Sequence, residues 1–251
     1  MTMSPMWSRR FVRRFRPRGR ERRVSRVSRV AADLIGGLVL WIPGGVGSRL
    51  RVAYYRARGS SIGGHVRIDV GVSIDQPGRV VIGAGSWIDR FAILIAGKPG
   101  QERQTRHVGP SMPELAGRIV IGSRCHIGPY VVLSGIGGLQ LGDDVTLSVG
   151  SAAYSLSHHY RSWARPADRT VVFGSQAAPD RQSMLEGPVV LASNVGVGAG
   201  CLLLPGTRIG ADSFVRPRAV VSDEWPENSL LAGDPATRTG DRFETAGVAG
   251  D

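Results

Sequence analysis

The feature that most constrains this chain is a period of six residues. Between Val189 and Pro235, bulky aliphatic side chains fall at Leu191, Val197, Leu203, Ile209, Val215 and Val221. The same beat places Ile62, Ile68 and Ile74, then Ile82, Ile88 and Leu94, then Ile121, Ile127 and Leu133, and finally Leu141 and Leu147. An even period keeps one side chain of every strand pointing inward, whereas it drifts around a helix of 3.6 residues per turn. The pattern therefore predicts an all-β solenoid, each hexapeptide supplying a short strand and a corner where glycine or a small polar residue accepts angles a bulky one resists. One coil cannot bury its aliphatic residues alone, but stacked coils share a continuous core.

At 251 residues the chain holds one such core plus appendages. The expected division is a basic N-terminal extension with amphipathic helices over 1–58, the solenoid over 59–238 and a frayed polar tail over 239–251. Thirty-five glycines and fifteen prolines suit a fold rich in corners, and 6% aromatic residues suit a narrow aliphatic core. Cys125 and Cys201 both fall inside hexapeptides and are read as small, reduced residues of a cytoplasmic protein. Two stretches break the beat and are expected to be loops: 96–118, with Lys98, Pro99, Pro110 and Pro113 and no strand pattern, and 151–187, which carries Ser157-His158-His159-Tyr160. Long loops on a regular scaffold are often functional, and the first is equally readable as a tolerated insertion.

The net charge of +12 is concentrated at the start. Residues 1–30 hold eleven arginines against Glu21, a local charge of +10, and the solenoid is nearly neutral, so no basic face for nucleic acid is expected. The basic stretch reads first as a disordered arm. A second reading is a short helix on an anionic membrane surface, with Trp7, Phe11 and Phe15 spaced by four. The apolar segment Val30 to Trp41 is too short for the roughly 20 residues of a spanning helix. It is expected either to pack on the first coil or to lie in the membrane interface, which makes residues 1–45 a candidate peripheral contact with the inner face of the cell membrane. Leu50 to Arg58 reads as a second amphipathic helix.

Histidine readily takes and returns a proton near neutral pH, and the His158-His159 pair begins a loop at the end of a rigid coil. His65, His107 and His126 show no ligand spacing, so no metal is expected, and no phosphate-binding glycine loop or nucleophile elbow is present.

The hexapeptides, the Ser157-His158 element, the segment Asn194 to Gly210 (NVGVGAGCLLLPGTRIG) and the closing Ala232-Gly233-Asp234-Pro235-Ala236 together resemble the left-handed β-helix acyltransferases. Within that family the likeness is to the maltose and galactoside O-acetyltransferases and to the acetyltransferases of polysaccharide synthesis. The resemblance implies a left-handed parallel β-helix, a homotrimer, and acetyl-CoA bound between subunits as acyl donor to a carbohydrate hydroxyl. It gives His158 the role of general base, by direct transfer without an acyl-enzyme. It assigns the backbone N–H of Ala199, after Gly198, to the oxyanion, a donor worth about 3 kcal/mol. Pro217 and Ser222 match positions that line the pantetheine arm, and Arg218 and Arg238 are further candidates for the coenzyme's phosphates. The sequence departs from the family at Gly196, usually tryptophan, at Arg216-Pro217-Arg218, at Asp223 and at Thr237, and Tyr130 stands near an acceptor-binding asparagine. Two other classes stay open: a non-catalytic trimeric scaffold, and a γ-type carbonic anhydrase on the same fold, which needs three histidines.

Overall fold

The computed structural model describes residues 26–97 and 104–243, with side chains from Leu34 onward. The arginine-rich stretch 1–25, with Trp7, Phe11 and Phe15, lies outside the described residues, as do 98–103 and 244–251.

The hexapeptides wind into a three-faced prism. Successive strands fall in turn on a first, a second and a third face, and each pairs in parallel with the strand of the coil above and below. On the first face Ile62, Ile82, Ile121, Leu141, Leu191 and Ile209 stand in register. The second aligns Ile68, Ile88, Ile127, Leu147, Val197, Val215 and Leu231. The third aligns Ile74, Leu94, Leu133, Ala153, Leu203 and Val221. Apart from Ile62, every one of these side chains is buried, so the three rows are the core that the six-residue period demanded. Both cysteines are free and buried.

The open end of the first coil is closed by helices. Helix α1 spans Arg26–Trp41 and α2 spans Gly44–Ala57. Ile68 lies on the outermost strand of the second face, so its outward backbone groups have no preceding coil to pair with. Helix α2 supplies the partners: Ile68 N–H donates to Ser48 Oγ (3.1 Å), and Arg51 Nε donates to Ile68 O (2.9 Å). The fully buried Arg51 also donates to Val39 O (3.0 Å) and Ile42 O (2.7 Å), so one guanidinium ties the end of α1, the connection and the first coil together. Tyr55 donates to Val72 O (2.7 Å), and burial pushes its phenol up to about 12. Gly47 is the residue that lets the helices approach, since a Cβ there would overlap the carbonyl oxygen of Ile42.

Four boundaries differ from the sequence reading. Ala152–Tyr154 is a strand of the fourth coil, so the second insertion starts after Tyr154; the sixth position there is Ala153, too small to mark the beat. Gln104–His107, inside the expected first loop, is a strand. It pairs with Ser183–Glu186, which in turn pairs antiparallel with Leu156–His159. The two insertions thus form one small sheet, and its 104–107 edge shows no apolar alternation because neither side is buried on the core. Ala236–Asp241 is not frayed: it folds back on Ser229–Gly233, held by backbone pairing although its exposed side chains are polar. The second helix begins at Gly44 rather than near Leu50, its glycines tolerated because packing against the coil outweighs their poor propensity.

Replacing Arg51 with Met should cost about 3 kcal/mol or more in urea unfolding, because it leaves buried carbonyls unpaired, whereas the exposed Arg49→Met should change stability by less than about 0.5 kcal/mol. Equal effects would show that the cap does not depend on Arg51. Burial also pushes the Cys125 thiol up to about 11 and raises that of Cys201. A raised pKa leaves less of the reactive thiolate at any given pH. At pH 8 neither thiol should react with an aromatic disulfide reagent in the native protein, and both should react in guanidinium; prompt native labelling would contradict the packing.

Candidate functional site

The corner between the second and third faces repeats one geometry through the stack. Its middle residues are Val70, Arg90, Pro129, Val149, Ala199 and Pro217, and the next residue in each coil has a positive φ: Gly71, Phe91, Tyr130, Gly150, Gly200 and Arg218. From Val70 up to Ala199 the carbonyls of this column are engaged, as where Arg218 N–H donates to Ala199 O (2.9 Å) and Gly200 N–H to Val149 O (3.0 Å). The column's N–H groups serve no bond between coils, and two of its members are proline, which has no N–H to give. At Ala199 the amide is therefore a rigidly held donor without a partner among the described residues.

Small residues around Ala199 have a packing reason. A Cβ on Gly198 would come within 2.6 Å of Pro217 N, and one on Gly196 within 2.8 Å of the Phe214 ring. The segment thus does not hold open an empty space at these two glycines. The next coil lies against both, and Phe214 covers the position where the resembling family carries tryptophan. The structure brings Gly198, Ala199, Pro217 and Arg218 together at this corner; Pro217 and Arg218 are exposed, and no ion pair engages Arg218 among the described residues. Arg238 lies on the returning strand opposite Leu231 and is paired with Asp241. Ser222 lies across the third face, its Oγ donating to Asp223 (2.7 Å) and its carbonyl accepting from Trp225 Nε1 (2.6 Å). The free groups at the corner fit a phosphate-bearing thioester, whereas Ser222 and Arg238 already have partners. Phe91 and Tyr130 stack lower on the same corner (5.3 Å between centroids), and Phe91 meets Trp41 at 6.2 Å. Phe91 was not singled out by sequence, since its role depends on the register of the coils.

His158 stands on the other side of the third face, at the root of the second insertion. Its neighbour is fixed: the buried His159 stacks on Trp163 (3.8 Å), places Nδ1 2.7 Å from Arg161 O, and shares Trp163 with the Arg106 guanidinium (4.2 Å) of the first insertion. His158 is half-buried with its ring against Phe173 (5.6 Å); Nδ1 is buried without a partner, which leaves Nε2 as the nitrogen open to solvent. Of the pair, His158 is thus the histidine free to meet a substrate. His126, set aside in the sequence for want of ligand spacing, stacks on Trp87 (4.9 Å) with Nε2 3.6 Å from Asp89 Oδ2, on the outer side of the second face. No group of three or more His, Cys, Asp or Glu able to hold an ion occurs among the described residues.

His158 and Ala199 occupy different corners. Ala199 precedes the third-face strand Leu202–Leu203, whereas His158 follows the paired strand Ala152–Tyr154 on the insertion strand Leu156–His159, so within one chain they flank that face from opposite ends.

No protein-family model matches the chain. It is 27% identical over 120 residues to a putative lipopolysaccharide biosynthesis O-acetyl transferase, WbbJ, of Escherichia coli, a match spanning 48% of this chain and 59% of that one. Among solved structures, the N-acyltransferase AntD from Bacillus cereus, in complex with dTDP and 3-hydroxybutyryl-CoA, superposes with a TM-score of 0.61. It is 22% identical, and the match covers 76% of this chain and 88% of AntD. A hexapeptide-repeat-containing acetyltransferase from Vibrio cholerae matches with a TM-score of 0.50 at 18% identity, over 88% of this chain and 96% of that one. The chain shares the fold of these two solved acyltransferases.

Proposed function

We propose that this protein is a CoA-dependent O-acyltransferase that moves an acetyl group onto a sugar hydroxyl. The observation that carries the reading is the unpaired, coil-fixed amide of Ala199, set beside the uncommitted cation of Arg218 on a fold shared with acyl-CoA-binding enzymes. The sequence likeness to a lipopolysaccharide O-acetyl transferase supports a cell-surface glycan as acceptor.

In this mechanism His158 Nε2 takes the proton of the acceptor hydroxyl as its oxygen attacks the thioester carbonyl. The tetrahedral oxyanion accepts a hydrogen bond from Ala199 N–H. Collapse breaks the carbon–sulfur bond, and the imidazolium returns its proton to the departing thiolate, leaving an ester and free CoA. Direct transfer agrees with the chemistry of the two cysteines, whose raised pKa values make them poor nucleophiles. Because His158 and Ala199 flank the third face from opposite ends in one chain, this reading completes the site between copies: His158 of one and Ala199 of its neighbour, in a trimer of left-handed coils. The same reading places the enzyme in the cytoplasm, with residues 1–45 in contact with the inner face of the membrane.

His158→Ala should lower thiol release from acetyl-CoA in the presence of acceptor by about 10² to 10⁴ while light scattering still gives a trimer. His126→Ala should stay within about threefold of the parent. If His126→Ala lost activity and His158→Ala kept it, the base would be the residue beside Asp89. Ala199→Trp should abolish CoA binding in calorimetry; unchanged binding would move the coenzyme away from this corner.

A further inference from the structure

Helix α1 is amphipathic in the wrong sense for a helix that merely covers a core. Its inward side is made by Gly36, whose Cα faces the Tyr54 ring and hydroxyl, and by Leu40, packed against the core cluster. At 100° per residue, Leu34, Leu38 and Trp41 fall within about 60° of one another on the opposite side, with Ile35 about 60° beyond. Their exposures are 67%, 73% and 64%, with 54% for Ile35. Val46 and Leu50 add exposed aliphatic surface on α2, with the exposed Arg49 between them. The Trp41 ring reaches Phe91 of the coil (6.2 Å) yet stays largely exposed, and the leucines before it continue the stripe. Isolated exposed leucines need no explanation, but a continuous exposed apolar stripe marks a surface for something else.

We infer that this stripe is the face by which the protein inserts into the interface of an anionic phospholipid bilayer. The sequence reading set packing on the coil against lying in the membrane; the structure lets one helix do both with opposite sides. Charge selects the occupant. The stripe follows directly on residues 1–30, which carry a net +10. A second copy docked here would bring an equal positive charge alongside, whereas anionic headgroups would neutralise it. Helix α1 is 16 residues long, and no helix among the described residues is long and apolar enough to cross a membrane, so the stripe lies in the plane of the interface. Trp41, at the helix end, has the amphipathic ring suited to headgroup depth. The inference deepens the membrane contact proposed for residues 1–45 and is independent of acyl transfer.

The test is sedimentation of the full-length protein with vesicles of phosphatidylcholine alone and of phosphatidylcholine with one quarter phosphatidylglycerol, at 0.1 M and 1 M salt. The screening length falls from about 10 Å to about 3 Å between these salts, so a purely electrostatic contact should be lost while inserted apolar surface should retain a fraction. The L34E/L38E variant should lower partition to anionic vesicles by about tenfold or more and remove the salt-resistant fraction. Its melting temperature, light-scattering mass and thiol release in solution should match the parent. Parent protein that ignores anionic vesicles, or a variant that binds as well as the parent, would overturn the inference. A change of mass in L34E/L38E would also overturn it, by showing the stripe to be a contact between chains. Absence of thiol release with these vesicle results intact would count against the acyl-transfer reading alone.

Discussion

Everything in this molecule depends on the stacking of like residues in register. Each coil gives one side chain to each of three interior rows, and parallel pairing aligns it with its counterpart above and below. Because the rows are continuous, no coil is stable without a neighbour, and the two ends become the vulnerable places. At the N-terminal end the cost of unpaired backbone groups is met by Ser48 and Arg51 of α2. At the other end the Ser229–Gly233 strand receives the returning strand Ala236–Asp241.

The same regularity makes the candidate site. A corner that recurs at a fixed height per coil holds its backbone amides in fixed directions, and those not used between coils are available to a ligand without further ordering. Ala199 is such an amide, and proline at 129 and 217 shows that the corner forms without that N–H. Regular coils offer little reach, so the proton-transfer group comes from an insertion. His158 sits where the chain leaves the third face, steadied by pairing with Met184 and by the neighbouring His159–Trp163–Arg106 stack.

The rows were legible in the sequence because their spacing is local and their residues large. Where the row uses Ala153, the beat faded and a strand was read as loop. Gln104–His107 was invisible for another reason: it is held by a partner about eighty residues away and buries neither face. Arg51 looked like one arginine among many, and its full burial follows from the three-dimensional cap alone. Gly196 and Gly198 were visible as small, but their cause, the Phe214 ring and Pro217 of the next coil, depends on register. The His158-His159 pair was legible as a pair; which member is free was decided by Trp163 and Arg161.

The central claim is that acyl transfer occurs between copies, with the amide of Ala199 and the imidazole of His158 meeting at one thioester. The direct measurement is a structure of the assembled protein with CoA bound. The account predicts a threefold assembly with the pantetheine beside Ala199 and Pro217 of one copy and its sulfur within about 4 Å of His158 Nε2 of the next. CoA bound away from that corner, or a sulfur facing His126 instead, would contradict it.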